Sequence, residues 1–458
     1  MSDCIWAYRS LVKSLTRRPA CLFNAQDRRF GVGQITTRRD VLKMLRKAVP
    51  ALAIASMLTL TACGGSDGEG SASADGVKTG KGVSDSEINL GILTDYSGPI
   101  AQAATSGSIG LEIKLDQVNA AGGVCGRQIV LHKMDTKFDP QITTQQYRAI
   151  SNKVVMIPQV MGTAQLMAIK DSIAKDGILT YSASLNSSAL KLEDVSIYTP
   201  PFEVELINGL VWAAQKAGAS AANPLKVGVF AAADEYGTAY ADAVKFAAKE
   251  IPGVEVVSSP TYSPTDNDFT AQATELKNSG AQVVLLANTM AQTPGLIGQS
   301  AQLGFKPMWV GYSGSWNAAL AKPLAGLTDN YFISASYGAL NDDVQGIKDM
   351  NAALAQYAPN EKPSNFQVAG WLSGVATVAV LEKACENKDL TREGVLAAVK
   401  DLDIDFGGIL PAVNLGTGDS VVSYQSRMNS INAEGLLIPT TDWAETDQAR
   451  AWGETNGF

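Results

Sequence analysis

The stretch INLGILT (residues 88–94), followed by SIGLEIKLDQVNAAGG (residues 108–123), predicts the start of the fold. The first stretch is an unbroken apolar run, which is typical of a strand buried on both faces of a sheet. The second has a helical period, and Gly122 and Gly123 are residues that commonly end a helix. Its apolar face consists of Ile109, Leu111, Ile113, Leu115 and Val118.

The same alternation of strand and helix continues along most of the chain. Strands separated by helices of this length form right-handed crossovers and parallel sheets that are covered on both faces. The pattern restarts near residue 200, which predicts an α/β protein with two doubly wound parallel-sheet lobes facing each other across a cleft. Further strands are expected at residues 128–134, 154–160, 178–182, 225–233, 254–260, 281–288 and 308–312, and helices at residues 142–151, 165–175, 239–249, 269–278 and 295–303.

The last quarter of the chain departs from this alternation. The segment FQVAGWLSGVATVAVLEKACE (residues 366–386) is apolar on nearly all sides, which predicts a buried helix. A charged helix with Thr391 as its cap follows within residues 390–402. Beyond Phe406, glycine and proline interrupt short strands, of which the segment at residues 420–432 is the clearest.

A second informative stretch, LTACGGSDGEGSASADG (residues 60–76), ends an apolar run at Cys63. This run follows a basic segment and is shorter than the roughly 20 residues that span a bilayer, which indicates a signal peptide at residues 44–62. The sequence Leu-Thr-Ala-Cys resembles the lipobox of bacterial lipoproteins, in which the cysteine is acylated. An ordinary secretory signal with an incidental cysteine is the alternative.

The lipobox interpretation also explains the polar segment that follows. Residues 63–85 are expected to be a flexible tether that begins with the lipidated Cys63, because glycine, serine and acidic residues dominate them. Residues 1–43 contain scattered arginines and show no sustained period. They are expected to be an N-terminal extension that is not part of the mature protein, with Met44 as the better start.

Composition argues against several classes of function. The chain has 37 Lys and Arg against 45 Asp and Glu, a net charge of −8, and no basic stripe for nucleic acid. Its single histidine, His132, lies in a strand pattern and is expected to be structural, which argues against a zinc site or a Ser-His-Asp triad. The sequence GYSGS (residues 311–315) departs from the nucleophile elbow at its last position. No cofactor, metal or catalytic residue is therefore expected, and a binding protein is favoured.

The cysteines support an exported protein. If Cys63 carries lipid, Cys125 and Cys385 remain as an even pair in a compartment where disulfides persist. A disulfide between them is expected, and two separate buried thiols are the alternative.

The order of several motifs resembles a known family. They are LTDYSGP, GLEIKLDQVNAAGGVCG, ADEYG, TDNDFTAQATELKNSGAQVV and QSAQLGF. Together they are similar to the branched-chain amino acid binding proteins of ABC importers, which have the type I periplasmic binding protein fold, and the resemblance covers nearly all of residues 86–440. It implies two lobes joined by hinge strands, with the two cysteines in the first lobe. The implied division is 86–199 plus 336–405 for the first lobe, 200–335 plus 406–445 for the second lobe, and 446–458 for a C-terminal tail.

The resemblance also implies a ligand site between the lobes. The matching positions in the first lobe are Thr163, Ser184 and Asn186, and in the second lobe Tyr236 and Thr289. Helix N-termini at such a cleft bind a carboxylate through their free N–H groups and dipole.

One position departs from the family pattern. Amino-acid binders place an acid after the strand that is MWVGY here, and this chain has Ser313 instead. Ser313 and Tyr96 are also expected to bind the ligand. An ammonium group without a partner in a closed cleft is costly, so a zwitterionic ligand requires compensation by another acid. Asp95, Asp234 and Glu235 are the candidates for that compensation. A stacking wall for amide or aromatic ligands is the alternative, formed by Tyr96, Tyr181, Tyr312 and Trp316.

These observations predict a monomeric, lipid-anchored, extracytoplasmic solute-binding protein without enzymatic activity. Its expected partners are a small polar ligand, the bacterial cell membrane through the anchor, and an ABC permease with its ATPase. A ligand sensor that signals to a membrane receptor is the first alternative, and an enzyme is the weakest one.

Overall fold

The computed structural model describes residue 73 and residues 75–263, 265–400, 402–416 and 421–458. The predicted N-terminal extension (1–43), the signal peptide (44–62) and the lipidated Cys63 lie outside these described residues.

The first segment alternates strands and helices close to the predicted positions. Its helices begin and end at residues suited to those places: Asp139 accepts hydrogen bonds from two amides at the start of the second helix, and the third ends at Gly177 with φ 59°. The elements are β1 (Lys78–Thr79), β2 (Glu87–Thr94), α1 (Ala101–Ala120), β3 (Gln128–Asp135), α2 (Pro140–Ile150), β4 (Met156–Val160), α3 (Thr163–Asp176), β5 (Leu179–Ser182) and β6 (Val195–Ser196).

The second segment repeats this pattern after a helix that the sequence analysis did not identify. That helix, α4, is buried along most of its length. The elements are α4 (Phe202–Ala217), β7 (Leu225–Ala232), α5 (Glu235–Glu250), β8 (Val254–Ser258), β9 (Thr261–Tyr262), α6 (Thr270–Asn278), β10 (Val283–Ala287), α7 (Thr293–Gln302), β11 (Met308–Tyr312) and β12 (Tyr331–Ala335).

The third segment completes both lobes and ends in a helix. The elements are α8 (Gln345–Tyr357), α9 (Asn365–Glu386), β13 (Asp389–Leu390), α10 (Arg392–Val399), β14 (Leu402–Ile404), β15 (Val413–Leu415), β16 (Arg427–Ile431), β17 (Leu437–Pro439) and α11 (Asp447–Asn456). The prediction of a tail at residues 446–458 is wrong, because Thr446 caps α11 and the helix packs against α4 and α5. The buried side chains of Ala449 and Trp452 hold it there.

Two main sheets define the two lobes. The five-stranded sheet has the order β3-β2-β4-β5-β6, and all of its strands are parallel. The eight-stranded sheet has the order β17-β16-β12-β11-β10-β7-β8, with β9 pairing to β7. The predicted α/β architecture with parallel sheets is confirmed, although β16 and β17 add an antiparallel edge to the second sheet. We call the first sheet with its helices lobe 1 and the second sheet with its helices lobe 2.

Helix α9 lies in the interior of lobe 1. It is long and apolar enough to cross a membrane by length and composition, but 67% of the relevant window is buried within the protein. It packs along α1 and against β4. The prediction of a buried helix is therefore confirmed.

The chain joins lobe 1 earlier than the sequence predicts. Strand β1 pairs with β13, and Val77 beside it is buried. The buried guanidinium of Arg127 donates to the carboxylate of Asp75 at 2.8 Å and to the hydroxyl of Ser73 at 2.8 Å. The prediction of a flexible tether up to residue 85 is therefore wrong for residues 75–85, because these contacts attach them to the lobe.

Cys125 and Cys385 form a disulfide with their Cα atoms 6.1 Å apart. Cys125 precedes β3, and Cys385 lies in the last turn of α9. The bond closes a sequence separation of 260 residues within lobe 1.

Candidate functional site

Both sheets have a point where the strand order reverses. In lobe 1, β2 lies between β3 and β4, and in lobe 2, β7 lies between β8 and β10. Ligands of open α/β sheets bind in the crevice outside the carboxyl ends of such strands. Tyr96 follows β2, and Thr163 begins α3 after β4. Tyr236 lies in the first turn of α5 after β7, and Thr289 follows β10.

The two lobes contact each other at this place. Helix α3 of lobe 1 lies against α5 of lobe 2. The Tyr240 hydroxyl on α5 reaches the Ser184 carbonyl oxygen at 3.5 Å. The predicted lobe 1 residues are buried here. The exposed fraction of the residue is 5% for Thr163, 7% for Ser184 and 1% for Asn186. The two lobes are therefore in contact at this edge, and we call the region where they meet the cleft.

The lobe 1 side of the cleft presents hydrogen-bonding groups beside the amino end of α3. The Ser184 hydroxyl accepts the Gly162 amide at 2.9 Å, which holds it next to Thr163. The Asn186 side-chain oxygen accepts the Ser188 amide at 2.9 Å. Within the described part of the chain, the Thr163 hydroxyl and the Asn186 amide nitrogen are buried without a partner. These groups and the helix terminus suit a carboxylate or a similar polar group.

Tyr96 lies at the same edge with its hydroxyl largely buried, and burial raises its pKa to about 12. The neighbouring Asp95 does not supply the acid that the sequence analysis sought, because its carboxylate accepts backbone amides of the loop before α1. Asp234 caps α5 by accepting an amide at 3.0 Å and is exposed, as is Glu235. None of the three candidates is a buried acid in the cleft with a free oxygen.

The lobe 2 side of the cleft is aromatic. The hydroxyls of Tyr236 and Tyr312 form a hydrogen bond. Tyr236 packs on Tyr240 with ring centroids 4.5 Å apart, and Phe202 packs on Tyr312 at 4.8 Å. We call these four residues the aromatic cluster. Burial raises the pKa of each of its tyrosines, so their hydroxyls stay protonated at neutral pH.

Three other predicted residues lie outside this cluster. Thr289 follows β10, and its hydroxyl donates to the side-chain oxygen of Gln292 at 2.6 Å. Trp316 is buried in the core of lobe 2 and donates to the Gly435 carbonyl at 2.9 Å. Tyr181 is buried within lobe 1 and packs on Tyr198. Of the four residues of the predicted stacking wall, only Tyr312 therefore belongs to the aromatic cluster.

Ser313 forms hydrogen bonds with a buried carboxylate. Its amide and hydroxyl donate to the carboxylate of Glu205 at 2.7 and 2.9 Å. The amide and hydroxyl of Ser336 donate to the same carboxylate at 2.8 and 2.5 Å. Glu205 thereby joins the first turn of α4 to the ends of β11 and β12. Ser313 is occupied by this carboxylate, so the prediction that it contacts ligand directly is not supported by its contacts.

Glu203, two residues earlier, is a functional candidate that the sequence analysis missed. One of its carboxylate oxygens accepts the Ser187 amide at 3.0 Å and the Ser187 hydroxyl at 2.7 Å. The other oxygen is buried and has no partner among the described residues. Burial raises the pKa of Glu203 to about 7. The negative charge of its ionised form in turn raises the pKa values of Tyr236 and Tyr240. The available signal was two acids in the otherwise apolar PPFEVELINGL (residues 200–210).

Comparisons with known proteins agree with this architecture. A profile described as periplasmic binding protein matches residues 87–434. The chain is 24% identical over 357 residues to Leu/Ile/Val-binding protein homolog 7 of Brucella abortus, with 72% of this chain and 85% of that protein aligned.

Solved structures share the fold. A fatty acid ABC transporter substrate-binding protein from Thermomonospora curvata superposes with a TM-score of 0.77 and 27% identity, covering 82% of this chain and 97% of that one. A branched chain amino acid ABC transporter from Thermus thermophilus with bound valine superposes with a TM-score of 0.72 and 17% identity, covering 81% and 99%. Since the matched residues 87–434 include strands of both sheets and most of the chain, the protein belongs to the periplasmic binding protein family of extracytoplasmic solute-binding proteins.

Proposed function

We propose that this chain is a lipid-anchored solute-binding protein that captures a small polar ligand by closing its two lobes and delivers it to an ABC permease and its ATPase. The ligand is an amino acid, an amide or a related organic acid. The observation that carries the proposal is a group of buried hydrogen-bonding atoms that have no partner among the described residues and lie just after β4, just after β5 and at the start of α4. They belong to Thr163, Asn186 and Glu203.

Closing such a cleft without ligand is costly, because it buries polar groups that have no partner. A buried polar group without a hydrogen bond costs about 1–3 kcal/mol, and more if it is charged. A ligand that supplies the missing partners removes this cost and stabilises the closed arrangement over the open one. Closure is then the state that a permease can recognise.

Tyr236 provides a direct test of the site, because it lies at the meeting point of the lobes. Tyr236→Ala is expected to weaken binding of a ligand found by thermal-shift screening at least tenfold, about 1.4 kcal/mol. Isothermal titration calorimetry measures this change. Tyr357→Ala is the matched control, because Tyr357 is a half-buried tyrosine at the end of α8 in lobe 1. Wild-type affinity in Tyr236→Ala would refute the assignment.

The anchor and the delivery step need tests in cells. Cys63→Ser is expected to move the protein from the membrane fraction to the soluble extracytoplasmic fraction. Deletion of the gene is expected to abolish uptake of the radiolabelled ligand. Unchanged fractionation would contradict the lipid anchor, and unchanged uptake would contradict delivery and favour the sensor alternative.

A further inference from the structure

Glu203 is a buried acid with an incomplete set of partners. Its side chain is 0% exposed, and one of its two oxygens accepts hydrogen bonds from the amide and hydroxyl of Ser187. Its own backbone amide also acts on the carboxyl group and lowers its pKa. Among the described residues, no lysine, arginine or histidine forms an ion pair with it. The positive charge of Lys191 lowers the pKa of Glu203, but the lysine side chain is exposed and its ammonium lies over the ring of Phe458. A buried, ionised carboxylate oxygen in this situation is stabilised by a hydrogen-bond donor from outside the protein chain.

The neighbouring acid Glu205 differs from Glu203, because both of its carboxylate oxygens have hydrogen-bond partners. Both acids lie in the first turn of α4, and both are fully buried. Glu205 accepts four hydrogen bonds, from the amides and hydroxyls of Ser313 and Ser336, and both of its oxygens are used. The free oxygen of Glu203 is therefore not a general consequence of its place on the helix.

The surroundings of Glu203 place it between the two halves of the candidate site. On the lobe 1 side, its partner Ser187 directly follows Asn186, whose amide nitrogen is also unpartnered. On the lobe 2 side, its negative charge raises the pKa values of Tyr236 and Tyr240 in the aromatic cluster. The carboxylate thus lies next to a residue of the lobe 1 half of the site, and its charge reaches two tyrosines of the lobe 2 half.

We propose that Glu203 is the specificity-determining residue of the cleft and that it binds an ammonium group of the ligand through its free oxygen. This inference rests on the proposed function and specifies its ligand. The ligand is an amino acid, whose ammonium binds Glu203 and whose carboxylate binds at the amino end of α3 near Thr163 and Asn186. Glu203 takes over the task of the acid that is absent at Ser313.

The cleft is expected to discriminate between an amino acid and its deamino analogue, because the two ligands leave different buried groups of the protein without a hydrogen bond. An amino acid supplies a cation to the free oxygen and anionic oxygens to the donors of lobe 1. The same acid without its amino group leaves the Glu203 oxygen buried without a partner. Sites built to hydrogen-bond a polar group of the ligand strongly reject analogues that lack it.

The test compares matched ligand pairs on the full exported protein. Leucine is paired with 4-methylpentanoate, phenylalanine with 3-phenylpropanoate, and further amino acids with their deamino analogues, by thermal shift and calorimetry. We expect at least one amino acid to bind, at least a hundredfold more tightly than its deamino analogue. Glu203→Gln is expected to weaken that amino acid at least thirtyfold. Glu235→Gln, which changes an exposed acid beside Tyr236, is expected to leave its affinity unchanged.

Each other outcome is decisive. Equal or tighter binding of the deamino, fatty or aromatic acids by the wild-type protein would overturn the role of Glu203 and leave the solute-binding function intact. Wild-type affinity for the amino acid in a folded Glu203→Gln protein would do the same. Failure of every amino acid, amide, fatty acid and aromatic acid to bind would overturn both the inference and the proposed function. The wild-type comparison holds even if a variant fails to fold.

Discussion

At the scale of single residues, Glu205 shows burial outweighing hydrogen bonding. Four donors from Ser313 and Ser336 favour its ionised form, yet complete burial raises its pKa from 4.5 to about 7. The position at the start of α4 also favours a negative charge, since the helix dipole is positive there. Removal from water is therefore the largest influence on this carboxyl.

This shift makes the stability of the ligand-free protein depend on pH. A carboxyl whose pKa is raised on folding holds its proton more tightly in the folded state, so its contribution is greatest below the unfolded pKa and is lost as pH rises through about 7. Between pH 5 and pH 8 the wild-type protein should lose on the order of 1–3 kcal/mol more than Glu205→Gln. Urea unfolding at each pH measures the difference.

The prediction is that the free energy of unfolding falls more steeply with pH for the wild-type protein than for Glu205→Gln. Glu205→Gln is also expected to be less stable at every pH, because the NH2 group that replaces one carboxylate oxygen cannot accept the hydrogen bonds made to that oxygen. Glu255→Gln, which alters an exposed acid on β8, serves as the control for net charge. Parallel curves for wild type and Glu205→Gln would show that Glu205 does not titrate in this range.

The positions of the candidate site residues were predictable only in part. Tyr96, Thr163 and Tyr236 lie at the cleft because residues that follow parallel strands gather at one edge of a sheet. The partner of Ser313 was not predictable, because Glu205 is 108 residues away in sequence. Glu203 was missed because α4, whose first turn contains it, was not predicted, and because its burial depends on contacts outside that helix, such as the one with Ser187.

At the scale of secondary structure, the closest helix contact depends on glycines. A Cβ atom on Gly370 of α9 would lie 1.8 Å from the Gly107 carbonyl oxygen of α1, and one on Gly110 would lie 2.0 Å from the Gln367 carbonyl oxygen. The two backbones therefore approach each other directly. A Cβ atom on Gly107 would meet only the Phe366 carbonyl oxygen, at 3.7 Å.

These distances predict opposite effects of the same substitution. Gly370→Ala should destabilise the protein by at least about 2 kcal/mol, because the helices must separate to admit a methyl group. Gly107→Ala should be neutral or stabilising by up to about 1 kcal/mol, because the methyl group fits and alanine favours the helix. Thermal and urea unfolding of both variants measure the difference. Equal destabilisation would show that α1 and α9 do not pack this closely.

Predictability also differs among the elements. Strands such as β2 and β10 were placed correctly because an apolar run between turns is a local signal. The burial of α9 was predicted from its composition, but its partner α1 was not, since that contact joins distant parts of the chain. The antiparallel pairing of β16 with β12 and the docking of α11 were missed for the same reason.

At the scale of the whole molecule, the chain passes between the lobes three times. Residues 197–201 lead from β6 to α4, residues 336–344 lead from β12 to α8, and residues 405–426, of which 417–420 are not described, lead from β14 to β16. Two of these passages lie beside the carboxylates of Glu203 and Glu205. Ionised or unpartnered groups at this junction therefore act directly on the balance between open and closed arrangements.

The balance between the open and closed arrangements is expected to depend on the ligand. Closing the cleft without ligand buries the Thr163 hydroxyl, the Asn186 amide nitrogen and one Glu203 oxygen without partners, at about 1–3 kcal/mol each. A penalty of this size makes the open arrangement dominant in the ligand-free protein, and a ligand that restores the hydrogen bonds shifts the population to the closed form. Small-angle X-ray scattering should therefore show a smaller radius of gyration on saturation. Tyr236→Ala, which loses contacts needed for closure, should show a smaller change at saturating ligand than Tyr357→Ala. An identical radius of gyration for ligand-free and saturated wild-type protein would mean that the lobes close without ligand, and binding would then have to be detected by the permease through something other than closure.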